Sequence, residues 1–333
     1  SDIANLIDDS FTLAFNMEVS IDVPLLFMLS IRNVNSLVVW KTAIQNYRRL
    51  WYHFEFSEPT YEHLRVLGKN ILFPVYRRLS TLTEDVDQRM LRRYVFDFAT
   101  ELEFWSALWQ STHSFDHWLE GDKIPGDHRA TIISQGVKWG SRNVFFQAFS
   151  KYLDSNDDVE QTDILYGLAA SRDENLLYQL LQYTEKPGVI KRQNLMFVFL
   201  SVARSYVGRR VLWRYIIDLI FKSLERSDSG GLMSNDVINS GMFDEILEHA
   251  TSELEINEMK ESLKASSLGS TQEGSLLAEY LDSLNSLTQL GEMAQEQISK
   301  LVSRQSLAEV MKEDQLSALE SSVRSRLTSL LNL

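Results

Sequence analysis

The sequence predicts an all-α chain on three observations. Apolar residues recur at three- and four-residue intervals instead of alternating, proline is scarce with 5 in 333 residues, and glycine gathers between the periodic segments. Helix-start signals punctuate the chain. Ser57 stands two residues before Pro59. Thr81-x-x-Glu84, Ser171-x-x-Glu174 and Ser306-x-x-Glu309 each offer an N-cap hydroxyl to free backbone amides, with a Glu three residues on to reciprocate. Ile21–Leu29 is apolar enough for a strand, but in a helical setting it reads as one more helix.

Breaks follow in order at Glu120–Gly126, Asp154–Glu160, Glu185–Gly188, Arg226–Gly231 and Ser266–Ser275. Between Gly126 and Gly231 they leave segments of about 20–40 residues, the size of one helix or one helix pair in a helical-repeat array. A helix pair buries only one face by itself, so neighbours stack and the stack curves. The expected architecture is an irregular armadillo- or HEAT-like superhelix of antiparallel helix pairs with a concave face. Residues 1–265 form the array, 266–275 a linker, and 276–333 C-terminal helices that cap it. Of the two closing helices, Leu276–Val302 and Ser306–Leu331, the second carries Leu316, Leu319, Val323, Leu327 and Leu330 near one face. That stripe suits docking back as a terminal cap, or pairing with another copy in a homodimer.

Composition excludes several functions. A formal net charge of −13 argues against nucleic acid, because phosphate binding relies on clustered Lys and Arg. The pairs Arg48-Arg49, Arg77-Arg78, Arg92-Arg93 and Arg209-Arg210 sit among apolar residues and read as solvated faces or ion-pair partners. Without cysteine there is neither a disulfide framework nor a thiolate metal site. The absence of Asn-x-Ser/Thr acceptors leans the same way, toward a cytoplasmic setting. No apolar run approaches the roughly 20 residues of a spanning helix, and no signal peptide opens the chain.

His113 and His117 lie four apart in HSFDH, but no Glu follows the first and no third ligand is placed, so surface polarity is the expectation. Gly136 and Gly140 form a small-xxx-small pair that predicts a close helix crossing. Gly208-Arg209 lacks the second glycine and the Lys-Ser/Thr of a phosphate loop, and predicts a helix start. The aromatics Phe96, Phe98, Phe104, Trp105, Trp109, Phe115 and Trp118 fall at helical spacing and predict core. Arg192 is the one substrate-binding candidate: its guanidinium could take a substrate carboxylate through two parallel hydrogen bonds, or tie two helices together.

An ordered set of fixed points remains: Arg129 leading to Gly136-x-x-x-Gly140-Ser141, an aromatic helix ending in Tyr152, Leu168-x-x-Ser171-x-Asp173, Ile190-x-x-Gln193, and Gly208-Arg209-x-x-x-Trp213. In order and spacing this resembles the C-terminal helical domain of the zinc aminopeptidases that include the alanyl, glutamyl, puromycin-sensitive and endoplasmic-reticulum enzymes. The N-terminal stretch IANLIDDSFTLAF resembles the helix with which that domain begins. Secreted members of the family often carry a Cys pair at what resemble Thr100 and Ala107 here. The resemblance implies the structural motif residues Gly136, Gly140, Ser171, Asp173, Gln193, Gly208, Arg209 and Trp213, with no catalytic or metal-ligating residue in this chain. None of the six histidines is followed by Glu, so the His-Glu-x-x-His zinc helix is missing. Zinc is then expected in a catalytic domain of the same polypeptide, with a peptide substrate, and the domain here caps the substrate chamber and regulates it. A stand-alone helical scaffold or pseudoenzyme that binds a protein or peptide partner is the alternative.

Overall fold

The computed structural model describes residues 2–55, 57–79, 85–225, 253–284 and 294–300, which are helical with no strand among them. The chain divides into two compact units, and the division falls inside one helix, between Gln110 and Ser111.

The first unit contains α1 (Asp2–Phe15), α2 (Asp22–Ser30), α3 (Leu37–His53), α4 (Glu58–Arg78), α5 (Val86–Glu101) and the start of α6 (Trp105–Glu120). In α1, Ala4, Ile7, Phe11 and Ala14 repeat at three- and four-residue steps, so one face is buried. That face lies against α3, which in turn lies against α5. Burial of each such large apolar side chain contributes about 2 kcal/mol. Polar ties fix the register: the Tyr47 hydroxyl donates to the Leu64 carbonyl at 2.6 Å, and Arg48 grips Glu101 with two bonds of 2.7 and 2.8 Å. Residues 294–300 belong to this unit as well. Ala294 and Ile298 enter its core, and the Gln297 side chain accepts the Ile21 N–H at 2.9 Å.

The second unit runs from the rest of α6 through α7 (Gly126–Trp139), α8 (Arg142–Asp154), α9 (Asp158–Leu168), α10 (Glu174–Glu185), α11 (Leu195–Ala203), α12 (Tyr206–Glu225), α13 (Glu253–Ala265) and α14 (Gln272–Leu284). Alternate helices are neighbours, with α7 beside α9, α9 beside α11 and α10 beside α12, and α13 lies against α12. Two glycines permit the close crossings. A Cβ on Gly136 would stand 2.1 Å from the Phe115 ring of α6, and one on Gly167 would stand 2.3 Å from an Ile133 methyl of α7. The small-xxx-small expectation is met at Gly136 by an aromatic ring seated on bare backbone.

Several local expectations change. Ser171 does not cap α10: Asp173 does, its carboxylate accepting the Asn175 N–H at 2.8 Å, while the Ser171 hydroxyl accepts the Asp173 N–H at 3.2 Å. A carboxylate two residues nearer the helix reaches the free amides first and adds charge at the positive end of the helix dipole. Ser57 precedes α4 without a capping bond, and its hydroxyl instead accepts from Gln295 at 2.9 Å. Residues 266–275, expected to be a linker, hold a 3-10 turn at Ser267–Ser270 and the start of α14, with Leu268 fully buried. Polar composition misled there, since one leucine in the stretch is enough to pin it to the core. Of the Ile21–Leu29 stretch, all but Ile21, which immediately precedes the helix, lies in α2, as the helical alternative had it. Of the aromatic set, Phe96, Phe98, Phe104, Phe115 and Trp118 are core. The signals at Thr81-x-x-Glu84 and Ser306-x-x-Glu309, the Arg226–Gly231 break and the Ser306–Leu331 stripe lie outside the described residues.

Burial, followed by the Arg49 charge, pushes the His53 imidazole down to about 4. The unfolded chain therefore binds a proton that the folded chain refuses across the interval from the ordinary histidine value down to about 4. Stability should fall as pH drops through that window, by about 1 kcal/mol per pH unit from this group. Urea unfolding of His53→Gln beside the parent chain checks this, and the variant should show a shallower slope.

Candidate functional site

The densest cluster of motif residues sits where α11, α12 and α13 meet. The turn between α11 and α12 is tight because residue 208 has no side chain: a Cβ there would lie 1.9 Å from the Val202 carbonyl oxygen. The Ser205 hydroxyl accepts the Gly208 N–H at 3.0 Å in the first turn of α12. This closure turns Arg209 back into the unit, where one guanidinium nitrogen donates to the Ala203 carbonyl at 3.2 Å. The others grip the Glu255 carboxylate of α13 at 2.6 and 3.2 Å. Both side chains are only 1% exposed. One turn further along α12, the Trp213 indole N–H donates to the Met259 carbonyl at 3.1 Å and the Ser262 hydroxyl at 2.9 Å. Arg209 and Trp213, four residues apart on one helix face, thus clamp α13 at two successive levels.

The other motif residues also build the fold. Tyr152 at the end of α8 donates to the Val189 carbonyl at 3.1 Å and holds the loop before α11. Burial raises the Tyr152 phenol, and that of Tyr215, whose hydroxyl donates to Leu181 and Glu185 at 3.0 and 2.8 Å. Gly140 closes the α7–α8 turn with the position of a Cβ only 2.5 Å from the Gly136 carbonyl. Gln193 and Arg192 lie exposed on a 3-10 turn at Arg192–Asn194, and the buried residue of that turn is Asn194.

A cleft of about 530 Å³ opens between the α6–α7 and α8–α9 loops, with Trp118, Asp122, Arg129, Lys151, Asp154 and Glu160 in its wall. Two of its cations are already engaged: Arg129 bonds Asp163 at 2.8 Å, and the Lys151 ammonium lies 5.1 Å from the Trp118 ring centre. The His113 and His117 rings meet edge to face at 4.5 Å, and His117 Nδ1 is 3.2 Å from Asp122. Among the described residues no three His, Cys, Asp or Glu side chains are placed to hold a metal ion. The described residues therefore offer no set that fits a zinc centre, which needs three or four such ligands. Likewise no described helix is long and apolar enough to cross a membrane.

Sequence reasoning missed Glu255, the partner that explains Arg209. Its signal was available: in α13 the buried positions are Glu255, Ile256, Met259 and Leu263, so a carboxylate stands on an apolar face where it needs a cation. Removal of either partner strands the other charge in the core. Arg209→Ala or Glu255→Ala should cost about 3–5 kcal/mol, and the volume-matched pair Arg209→Met with Glu255→Leu much less than the sum. Chemical unfolding of the three variants checks it.

Residues 1–286 match the family described as ERAP1-like C-terminal domain. The chain is 24% identical to a glutamyl aminopeptidase of Mus musculus over 219 residues, 65% of this chain and 23% of that protein. It is 27% identical to endoplasmic reticulum aminopeptidase 2 of Bos taurus over 199 residues, 58% of this chain and 20% of that protein. Aminopeptidase Ey of Gallus gallus matches at 23% identity over 222 residues, 64% and 23% of the two chains. The chain thus spans less than a quarter of the length of these curated relatives. With its motif residues built into a helical clamp and the family match running over most of its length, this chain belongs to the ERAP1-like C-terminal domain family, the C-terminal domain of aminopeptidases.

Proposed function

We propose that this chain serves as the substrate-capping and regulatory domain of a zinc metallo-aminopeptidase that removes N-terminal residues from peptides. The family match over residues 1–286 carries the proposal, because relatives named as aminopeptidases contain a segment like this one as a minor part of their length. Zinc and the water it activates belong, on this reading, to a catalytic domain of the same polypeptide. The helical array contributes a curved, concave face set against that domain, closing a chamber over the peptide.

Such a domain acts through binding and gating. Contacts with the far end of a peptide supply energy that is used at the reacting centre, and a rigid cap excludes folded proteins. Movement between open and closed arrangements then limits substrate exchange. Arg192 is exposed, so its planar guanidinium is free in space to meet a peptide carboxylate.

The test is fluorogenic aminopeptidase activity with zinc analysis, on this chain and on the longest natural polypeptide that contains it. The expected result is zinc and cleavage in the longer protein and neither in this chain alone. A longer protein without zinc or activity overturns the proposal in favour of a binding scaffold.

A further inference from the structure

The two ends of the helices in the second unit differ in exposed charge, and the more acidic end also exposes Lys123 and Lys191. At one end, the α6–α7 and α8–α9 loops expose Glu120, Asp122, Asp154, Asp157 and Asp158. The other end of α8 is about 20 Å away for its 13 residues. There the turns α7–α8, α9–α10 and α11–α12, with the first turns of α12, gather Lys138, Arg142, Arg172, Arg204, Arg210 and Arg214.

Side-chain contacts hold several of these cations against aromatic rings. Trp139 is 49% exposed, and its ring carries the Arg172 guanidinium at 4.8 Å and the Lys138 ammonium at 5.5 Å. Arg204 lies 4.1 Å from the Tyr166 ring centre, and Arg142 lies 5.7 Å from that of Phe146. Arg210 and Arg214 both approach Glu174 at 3.8 Å, and Arg210 also lies 3.5 Å from Glu258. Arg172 and Arg142 have no carboxylate within ion-pair distance among the described residues. A guanidinium packed on an aromatic ring without a carboxylate partner, as at Arg172 and Arg142, can meet an incoming carboxylate and loses little freedom when it binds.

We infer that this Trp139-centred basic end is a docking surface for an acidic polypeptide segment. Charge complementarity selects that partner. The chain as a whole carries −13, so an acidic segment is repelled elsewhere and attracted here, which fixes where and in which orientation it lands. A nucleic acid fits less well, since its dense phosphate charge faces the same overall repulsion with few cations to offset it. The inference is independent of the capping role.

Fluorescence anisotropy of a labelled decaglutamate peptide with the chain, at low ionic strength, tests it. Binding is expected, weakened by added salt. The charge reversal Arg172→Glu combined with Trp139→Ala should weaken it by about tenfold or more. The exposed control Arg89→Glu, on α5, should leave it unchanged. Circular dichroism of each variant reports whether it has folded. Three results would overturn the proposal: no binding, equal loss in the control, or tighter binding of a single-stranded oligonucleotide than of the peptide. Self-association of the chain that Arg172→Glu abolishes would also overturn it, by giving the surface to a second copy.

Discussion

The buried pair of Arg209 and Glu255 is the constraint on which the second unit depends. Two full charges at 1% exposure are costly to desolvate, and their mutual attraction repays that cost only if the geometry is good and the remaining donors are satisfied. Here the guanidinium meets the carboxylate through two bonds and places a further donor on the Ala203 carbonyl. Such a pair adds little net stability over a well-packed apolar pair. What it contributes is uniqueness: α13 has one position on α12 that leaves no charge unpaired, and Trp213 confirms that position one turn later.

The glycine at 208 belongs to the same device. An added Cβ would drive into the Val202 carbonyl, α12 would start further from α11, and Arg209 would lose its reach to Ala203. A short motif, Gly-Arg-x-x-x-Trp, therefore encodes a three-helix junction among α11, α12 and α13. The same economy appears at Gly136 and Phe115, and at Gly167 and Ile133, where missing side chains on one helix admit bulky ones from its neighbour.

Much of this was legible in the sequence and some was not, for physical reasons. Periodicity and the scarcity of proline revealed the helices, and the glycine spacing revealed a close crossing, because both are local. Arg209 was identified from its motif, but its role was hidden, since its partner lies 46 residues on and charge pairing across that distance leaves no local pattern. Asp173 and Ser171 compete for one cap, and propensity alone does not decide which side chain reaches the amide. The turn at Ser267–Ser270 was masked by serine and glycine, with Leu268 the single clue. Nor, among the described residues, do the chemistry-bearing side chains converge on a reacting centre. The candidate Arg192 and the cleft beside Trp118 offer binding groups, and the functional reading rests on the family.

Amide hydrogen exchange across α12 and α13 tests the central claim, that the Arg209, Glu255 and Trp213 clamp makes these helices one cooperative piece. The account predicts that the amides of Ile256, Met259 and Leu263 exchange with the same opening free energy as those of Leu212 to Ile216, through joint unfolding. Exchange of the α13 amides through a separate opening, several kcal/mol less costly than that of α12, would contradict it.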